Sequence, residues 1–186
     1  ARLAFKLGPT TTVAGANLGT VSVEIQDSNG NPVSTPDSIT LTLQGSQGGT
    51  LSGTSTVNAS GGVATFSNLF ITRAGSGYRL VAHTNGLVDA LSATFDITPG
   101  PAARLELSHA AARLALAQRI RVGAHVLSKT NDPRPGDRVT WKSSAPGVAR
   151  VDNDGIVTAV AAGRAVLTAT SGGASASLPV EVLNTS

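Results

Sequence analysis

Three histidines, His83, His109 and His125, are the side chains of this sequence best suited to move a proton near neutral pH. Catalysis needs several titratable groups converging on one atom, and no second group stands at a recognisable spacing from any of them. With Cys 0, thiolate nucleophiles, disulfides and thiolate metal sites are absent. No Gly-x-Ser-x-Gly, phosphate-cradling glycine loop or His-Glu-x-x-His occurs. His83 and His125 fall on the outward register of alternating strands, beside Val81 and Gly123, and so face solvent. The sequence therefore predicts no catalytic residues, no cofactor and no enzyme. Its metal candidates are Asp27, Asn29 and Asn31, which offer oxygens at alternate positions as calcium loops do. The same residues are strong turn formers, and no acidic residue closes the loop at the required distance.

The elements that would carry these residues read as strands. Val21, Val23 and Ile25 alternate with Ser22, Glu24 and Gln26, and Ile39, Leu41 and Leu43 with Thr40, Thr42 and Gln44. Further strands are expected over Leu51 to Val57, Val63 to Phe66, Leu69 to Thr72, Tyr78 to His83 and Ala90 to Ile97, separated by glycine turns. Gly75-Ser76-Gly77-Tyr78-Arg79-Leu80 places a tyrosine two residues before an inward apolar residue, the spacing of a tyrosine corner. An ordinary half-buried strand tyrosine is the competing reading. In the second half the pattern recurs at Ile120 to Val126, Val139 and Trp141, Val148 to Val151, Ile156 to Val160, Ala165 to Ala169 and Leu178 to Val182. The run His109 to Ala117 is rich in helix formers, yet it is expected to be mainly extended with a helical turn near Ala110, because a helix would leave a sheet short of a strand.

The 186 residues suit two small sandwiches. Thr98-Pro99-Gly100-Pro101 ends pairing on both sides, which gives domains at 1–98 and 102–186 around a short, stiff 99–101 linker. Ala103-Arg104-Leu105-Glu106-Leu107 echoes Ala1-Arg2-Leu3-Ala4-Phe5, as the first strands of tandem modules would. With Met 0 the chain reads as a processed product or an excised part of something longer. The expected core consists of Val23, Leu41, Phe66, Tyr78 and Leu80 in the first domain and Val122, Trp141, Val151 and Leu167 in the second. Charge is uneven: residues 1–100 carry 4 basic and 5 acidic side chains, a net of −1, and residues 101–186 carry 10 and 6, a net of +4. The basic half could attract an anionic polymer, but its arginines are scattered in sequence, so they read as solvated surface. Aromatics at 3% are too few for base stacking, so no nucleic acid partner is expected. No apolar run is long enough to cross a membrane as a helix, and no membrane insertion is expected.

One stretch has a family look. Trp141-Lys142-Ser143-Ser144, Val148-Ala149-Arg150-Val151, Asp152-Asn153-Asp154-Gly155 and Val157-Thr158-Ala159 through Gly163 together resemble the bacterial immunoglobulin-like group 2 domain. The flanking strands extend the likeness over residues 101–184. More loosely, Val21-x-Val23 with Asp27, Gly30-Asn31-Pro32-Val33 and Gly62-x-Ala64-Thr65-Phe66 is similar to invasin-type group 1 modules across residues 1–98. The resemblance implies an all-β chain of two tandem immunoglobulin-like sandwiches, of a kind repeated in bacterial and phage surface proteins, including intimin-like adhesins. The expected function is a non-catalytic structural or adhesive module, extracellular or on the bacterial cell surface. Its partners would be neighbouring Ig-like modules, copies of itself, or a host-cell or polysaccharide surface. The alternative is a self-assembling subunit of an extracellular filament or phage particle, in which the Thr-rich segment from Leu7 to Gly15, or an exposed edge strand, pairs with a neighbouring chain. A carbohydrate-binding accessory module ranks last, because only Phe70 is an outward aromatic candidate.

Overall fold

A computed structural model describes residues 1–45 and 48–184. Among these residues every regular element is a strand, and the chain divides into two compact units, Ala1–Gly100 and Pro101–Ser186. Unit 1 runs through β1 (Arg2–Leu7), β2 (Thr12–Val13), β3 (Val21–Gln26), β4 (Ser38–Gln44), β5 (Leu51–Ser52), β6 (Thr56–Asn58), β7 (Val63–Phe66), β8 (Phe70–Ile71), β9 (Gly75–His83), β10 (Ala90–Leu91) and β11 (Phe95–Thr98). Its principal sheets are β1-β3-β7 and β2-β11-β9-β4-β6, with β10 beside β9 and a small β5-β8 pair. Unit 2 runs through β12 (Ala102–Leu107), β13 (Ala112–Ala115), β14 (Arg119–Arg121), β15 (Ala124–Ser128), β16 (Thr140–Ser143), β17 (Ala149–Val151), β18 (Ile156–Ala159), β19 (Gly163–Ser171) and β20 (Ala174–Leu183). Here β13-β20-β19-β16 forms one sheet, with β12-β15 and β14-β18-β17 forming the others.

Both units share one plan. The first strand pairs antiparallel with the second long strand (β1 with β3, β12 with β15). The chain then joins the other sheet as a short strand lying parallel to the unit's last one (β2 with β11, β13 with β20). This is the order of an immunoglobulin-like sandwich, and the chain is two such sandwiches in tandem.

The period-two pattern explains why these residues become strands. In unit 1 Val21, Val23, Ile25, Ile39, Leu41, Phe66, Tyr78 and Leu80 are at most 2% exposed and form one apolar cluster. Each such side chain contributes about 1.5–3 kcal/mol on leaving water. Tyr78 fits under glycines: a Cβ would lie 2.7 Å from its ring at Gly45 and 2.6 Å from its hydroxyl at Gly49. Its Oη points back to the Arg73 carbonyl at 3.4 Å, five residues upstream, as in a tyrosine corner. Unit 2 has two smaller clusters, one around Val122 and Leu167 and one around Leu105 and Val126, with Trp141 packed against both.

Several boundaries differ from the sequence reading. Leu51 to Val57 is not one strand: Gly53, at φ +98, turns the chain where a Cβ would strike the Asn68 carbonyl. Ala90 to Ile97 breaks at buried Ser92, whose Oγ accepts the Leu80 N–H while its own N–H donates to the Leu80 carbonyl, both at 2.9 Å. A side-chain oxygen has replaced a backbone carbonyl, and the ladder shifts there. No helical turn forms near Ala110. Ala112 and Leu114 face the core and β13 pairs with β20, so the ladder overrides the helix propensity of the run. Trp141 and Val151 are half-buried at the margin of their cluster rather than sealed inside it.

Candidate functional site

The three histidines lie apart. His83 Nδ1 is 2.7 Å from Asp89 Oδ1, with both side chains at least half exposed. His109 Nδ1 is 2.8 Å from Ser108 Oγ, which also accepts the Gly123 N–H at 2.9 Å. His125 stands exposed on β15. A nucleophile and base need a third group to orient the base, and His109 has no carboxylate within ion-pair distance among the described residues.

The Asp27 loop is a hydrogen-bonded turn. Asp27 Oδ1 accepts the N–H groups of Asn29 (2.8 Å) and Asn31 (2.9 Å), and Oδ2 faces the Asn31 amide nitrogen at 3.3 Å. These donors, the Asn31 N–H foremost, hold the Asp27 carboxyl below its ordinary range. The same turn recurs twice in unit 2. Asp152 Oδ1 accepts from Asp154 and Ile156 (3.0 and 2.9 Å), and Ser128 Oγ accepts from Thr130 and Asp132 (3.2 and 3.1 Å). Asn29 and Asn31 thus act through their backbone donors, and the Asn31 side chain presents a donor, not an oxygen, to the carboxylate. Among the described residues no three His, Cys, Asp or Glu side chains cluster as a metal site.

Several charged groups are neutralised locally. Glu24, only 8% exposed on the central strand β3, accepts from Gln26 Nε2 (3.0 Å) and Lys6 Nζ (3.3 Å), and these bonds hold its carboxyl low. Arg134 grips Asp137 through two bonds of 2.6 and 2.9 Å, which raises the guanidinium further above its ordinary value. On the outer face of β13-β20-β19-β16, a depression of about 380 Å³ is floored by Val166 and Pro179. At its rim Arg113 and Arg164 hold the two oxygens of Glu181 at 3.0 and 3.1 Å.

The outer face of β14-β18-β17 differs. Arg119 and Arg150 both stand opposite Thr158, in one row across the three strands, and Arg121 stands opposite Ile156 in the next row. The alternate residues Val157, Ala159 and Ala149 are buried beneath, so the three arginines project outward, and all are exposed. Among the described residues no carboxylate lies within ion-pair distance of any of them; the Arg150 Nε reaches only the Pro146 carbonyl at 3.4 Å. Sequence reasoning missed this cluster because Arg150 lies 29 positions beyond Arg121. The Arg-Ile-Arg alternation at 119–121 was the one available signal that two cations share a face.

Comparison with known proteins finds a family likeness within one unit. Residues 117–182 match the model of the bacterial Ig-like domain (group 2). No curated protein matches the chain in sequence. Among solved structures, the chain is similar along its whole length to the Escherichia coli adhesin FdeC, at 16% identity and a TM-score of 0.57, and covers 63% of that chain. It also resembles the Yersinia pseudotuberculosis adhesin InvE (18% identity, TM-score 0.45, 97% of this chain and 58% of that). Domains 4 and 5 of the S-layer protein SbsC are similar as well (16% identity, TM-score 0.44, 98% and 96% covered). At these identities the likeness concerns fold. The chain spans less than two thirds of FdeC and of InvE.

Proposed function

We propose, given the match of residues 117–182 to the bacterial Ig-like domain of group 2, that the chain is a non-catalytic module of a bacterial extracellular or cell-surface protein, serving structure and adhesion. The observation that carries this reading is that both units are complete sandwiches in direct succession, a fold shared over the full chain with the FdeC adhesin. Each unit closes its own apolar core and ties its first strands to its last, so each can fold as a link in a series. The dispersed histidines and locally neutralised carboxylates support a non-catalytic role.

The self-assembly alternative needs an unpaired strand, either in the Leu7 to Gly15 segment or at an exposed sheet edge. That segment is already used within unit 1: β2 pairs with β11, Ala14 N–H donates to the Thr98 carbonyl at 2.9 Å, and Gly15 N–H to that of Ile71 at 2.8 Å. Light scattering of the purified 186-residue chain across a concentration series tests the two readings. Monomers at every concentration are the expected result. Polymers that grow with concentration and vanish when residues 7–15 are deleted would replace the module reading with self-assembly.

A further inference from the structure

We propose that the outer face of β14-β18-β17 is a binding surface for an acidic polysaccharide, with Arg119, Arg121 and Arg150 pairing with its carboxylate or sulfate groups and Thr158 hydrogen-bonding between them. Arg119 and Arg121 are two residues apart on one strand, a separation of about 7 Å. Arg150 lies two strands away across Thr158, at about 10 Å. Like charges gathered on one sheet face repel and lower stability. Elsewhere the same unit pairs four of its five other arginines: Arg104 with Glu106, Arg113 and Arg164 with Glu181, Arg134 with Asp137. The acidic groups nearest in the fold do not relieve the cluster. Asp152 is committed to the N–H groups of Asp154 and Ile156, and among the described residues Asp154 forms no ion pair. Among the described residues Lys129, Arg138 and Lys142 are also without ion pairs, but Lys129 and Arg138 lie in the connection from β15 to β16 and Lys142 on β16, none of them on this sheet.

The surroundings define the partner. Between the arginines the face offers the Thr158 hydroxyl and half-buried Ile156, and no aromatic ring. Single-stranded nucleic acid binds through aromatic stacking, and duplex grooves admit a helix or a projecting ribbon, so a flat face without rings suits neither. A linear sugar polymer can lie across the strands and meet planar guanidinium forks, which match carboxylate and sulfate oxygens bidentately. The choice of a polysaccharide, though not the anion site itself, rests on the reading of the chain as an extracellular module.

The test is calorimetric titration of the whole chain with polygalacturonate, dextran sulfate, neutral dextran and duplex DNA, at about 50 and about 200 mM salt. Binding to one or both acidic polysaccharides, weakening as salt rises, and none to neutral dextran, is expected; the two polymers report whether carboxylate or sulfate is preferred. The triple variant Arg119→Gln, Arg121→Gln, Arg150→Gln is expected to lose at least about tenfold in affinity. The charge-matched variant Lys129→Gln, Arg138→Gln, Lys142→Gln is expected to stay within about twofold of wild type. All substituted residues are exposed, and Trp141 fluorescence confirms that unit 2 is folded in both variants. Equal losses in the two variants would overturn the site in favour of bulk charge, tighter binding of DNA would overturn the choice of partner, and absence of binding by wild type would overturn the whole inference. A wild-type chain that stays monomeric yet binds nothing overturns this inference alone, whereas a polymerising chain overturns the module reading first.

Discussion

The short strand before β7 in unit 1 and the one before β18 in unit 2 join opposite sheets, β7 and β18 each being the fifth main strand of its sandwich once the short β2, β5, β13 and β14 are set aside. In unit 1, β6 pairs with β4, with Thr56 Oγ1 3.0 Å from Thr40 Oγ1, and so belongs to the larger sheet. In unit 2 the equivalent strand β17 pairs with β18. The connections differ accordingly. Residues 45–55 between β4 and β6 include the separate strand β5, whereas β16 and β17 are joined by residues 144–148 alone. In that short link the Ala145 carbonyl accepts both Val148 and Ala149 N–H groups, and Ser143 Oγ donates to the Ala149 carbonyl at 2.7 Å. This difference teaches that an edge strand's sheet is chosen by its connection as much as by its own residues. It also shapes the proposed anion-binding face, because β17 brings Arg150 into the row with Arg119. Among the described residues unit 1 places no strand at that position.

If the two units share one plan apart from this strand, equivalent core changes should act on each unit separately. The chain holds Tyr 1 and Trp 1, one per unit, so Tyr78 and Trp141 report the two meltings independently. The largest effect is expected from Tyr78→Ala, which empties a fully buried ring site: about 3–5 kcal/mol, seen as loss of the unit 1 transition in calorimetry while Trp141 fluorescence still melts as in wild type. Trp141→Ala should act on unit 2 alone and cost about 3 kcal/mol, the low end for such truncations, because the indole is half-buried. If Trp141→Ala cost more than Tyr78→Ala, the view of Trp141 as a marginal bridge between two clusters would fail.

Gly62 and Gly155 sharpen the comparison. Each precedes the fifth main strand at positive φ (+81 and +76), and each carbonyl accepts an N–H at 2.8 Å, from Ile25 and Val122 respectively. A Cβ would strike the Val33 carbonyl at the first and the Val122 carbonyl at the second. Gly62→Ala and Gly155→Ala are each expected to cost about 2 kcal/mol in urea unfolding, each in its own unit. Unequal costs would show that the two junctions are not equivalent.

The smallest effect concerns pH. Asp27 and Ser128 occupy the same position in the same turn, but only Asp27 titrates. Its folded-state carboxyl is held low, so the stability it adds is present above the ordinary value of about 3.9 and is lost as pH falls through the lowered folded value. Asp27→Asn should therefore flatten the acid side of the unit 1 melting profile. A profile for Asp27→Asn that matches wild type would remove Asp27 as a source of acid sensitivity.

The strands were legible where one face is apolar and the other polar, as in β4 and β9. They were less legible where a ladder changes partner. Ser92 and Gly53 interrupt strands through a side-chain bond and a close approach that involve residues far away in sequence, so no local pattern announces them. The alternation of Ala112 and Leu114 was visible inside a helix-forming run, but only pairing with β20 decides between the two periods. Trp141 sits in the inward register as its spacing implies, yet its exposure depends on how well the facing clusters close. The arginine row was the least legible feature, being set by the register of three strands and not by any motif.

The short parallel pairings that join each unit's beginning to its end also determine how the chain responds to tension. Pulling a unit by its two ends loads such a pair in shear, so its hydrogen bonds must break together instead of unzipping one at a time. In unit 1 this clasp is Thr12–Val13 against Ile97–Thr98, and in unit 2 it is four residues, Ala112–Ala115, against Val180–Leu183. Under an increasing pull the first unit should yield before the second, lengthening the chain while leaving the arginine-bearing sandwich intact.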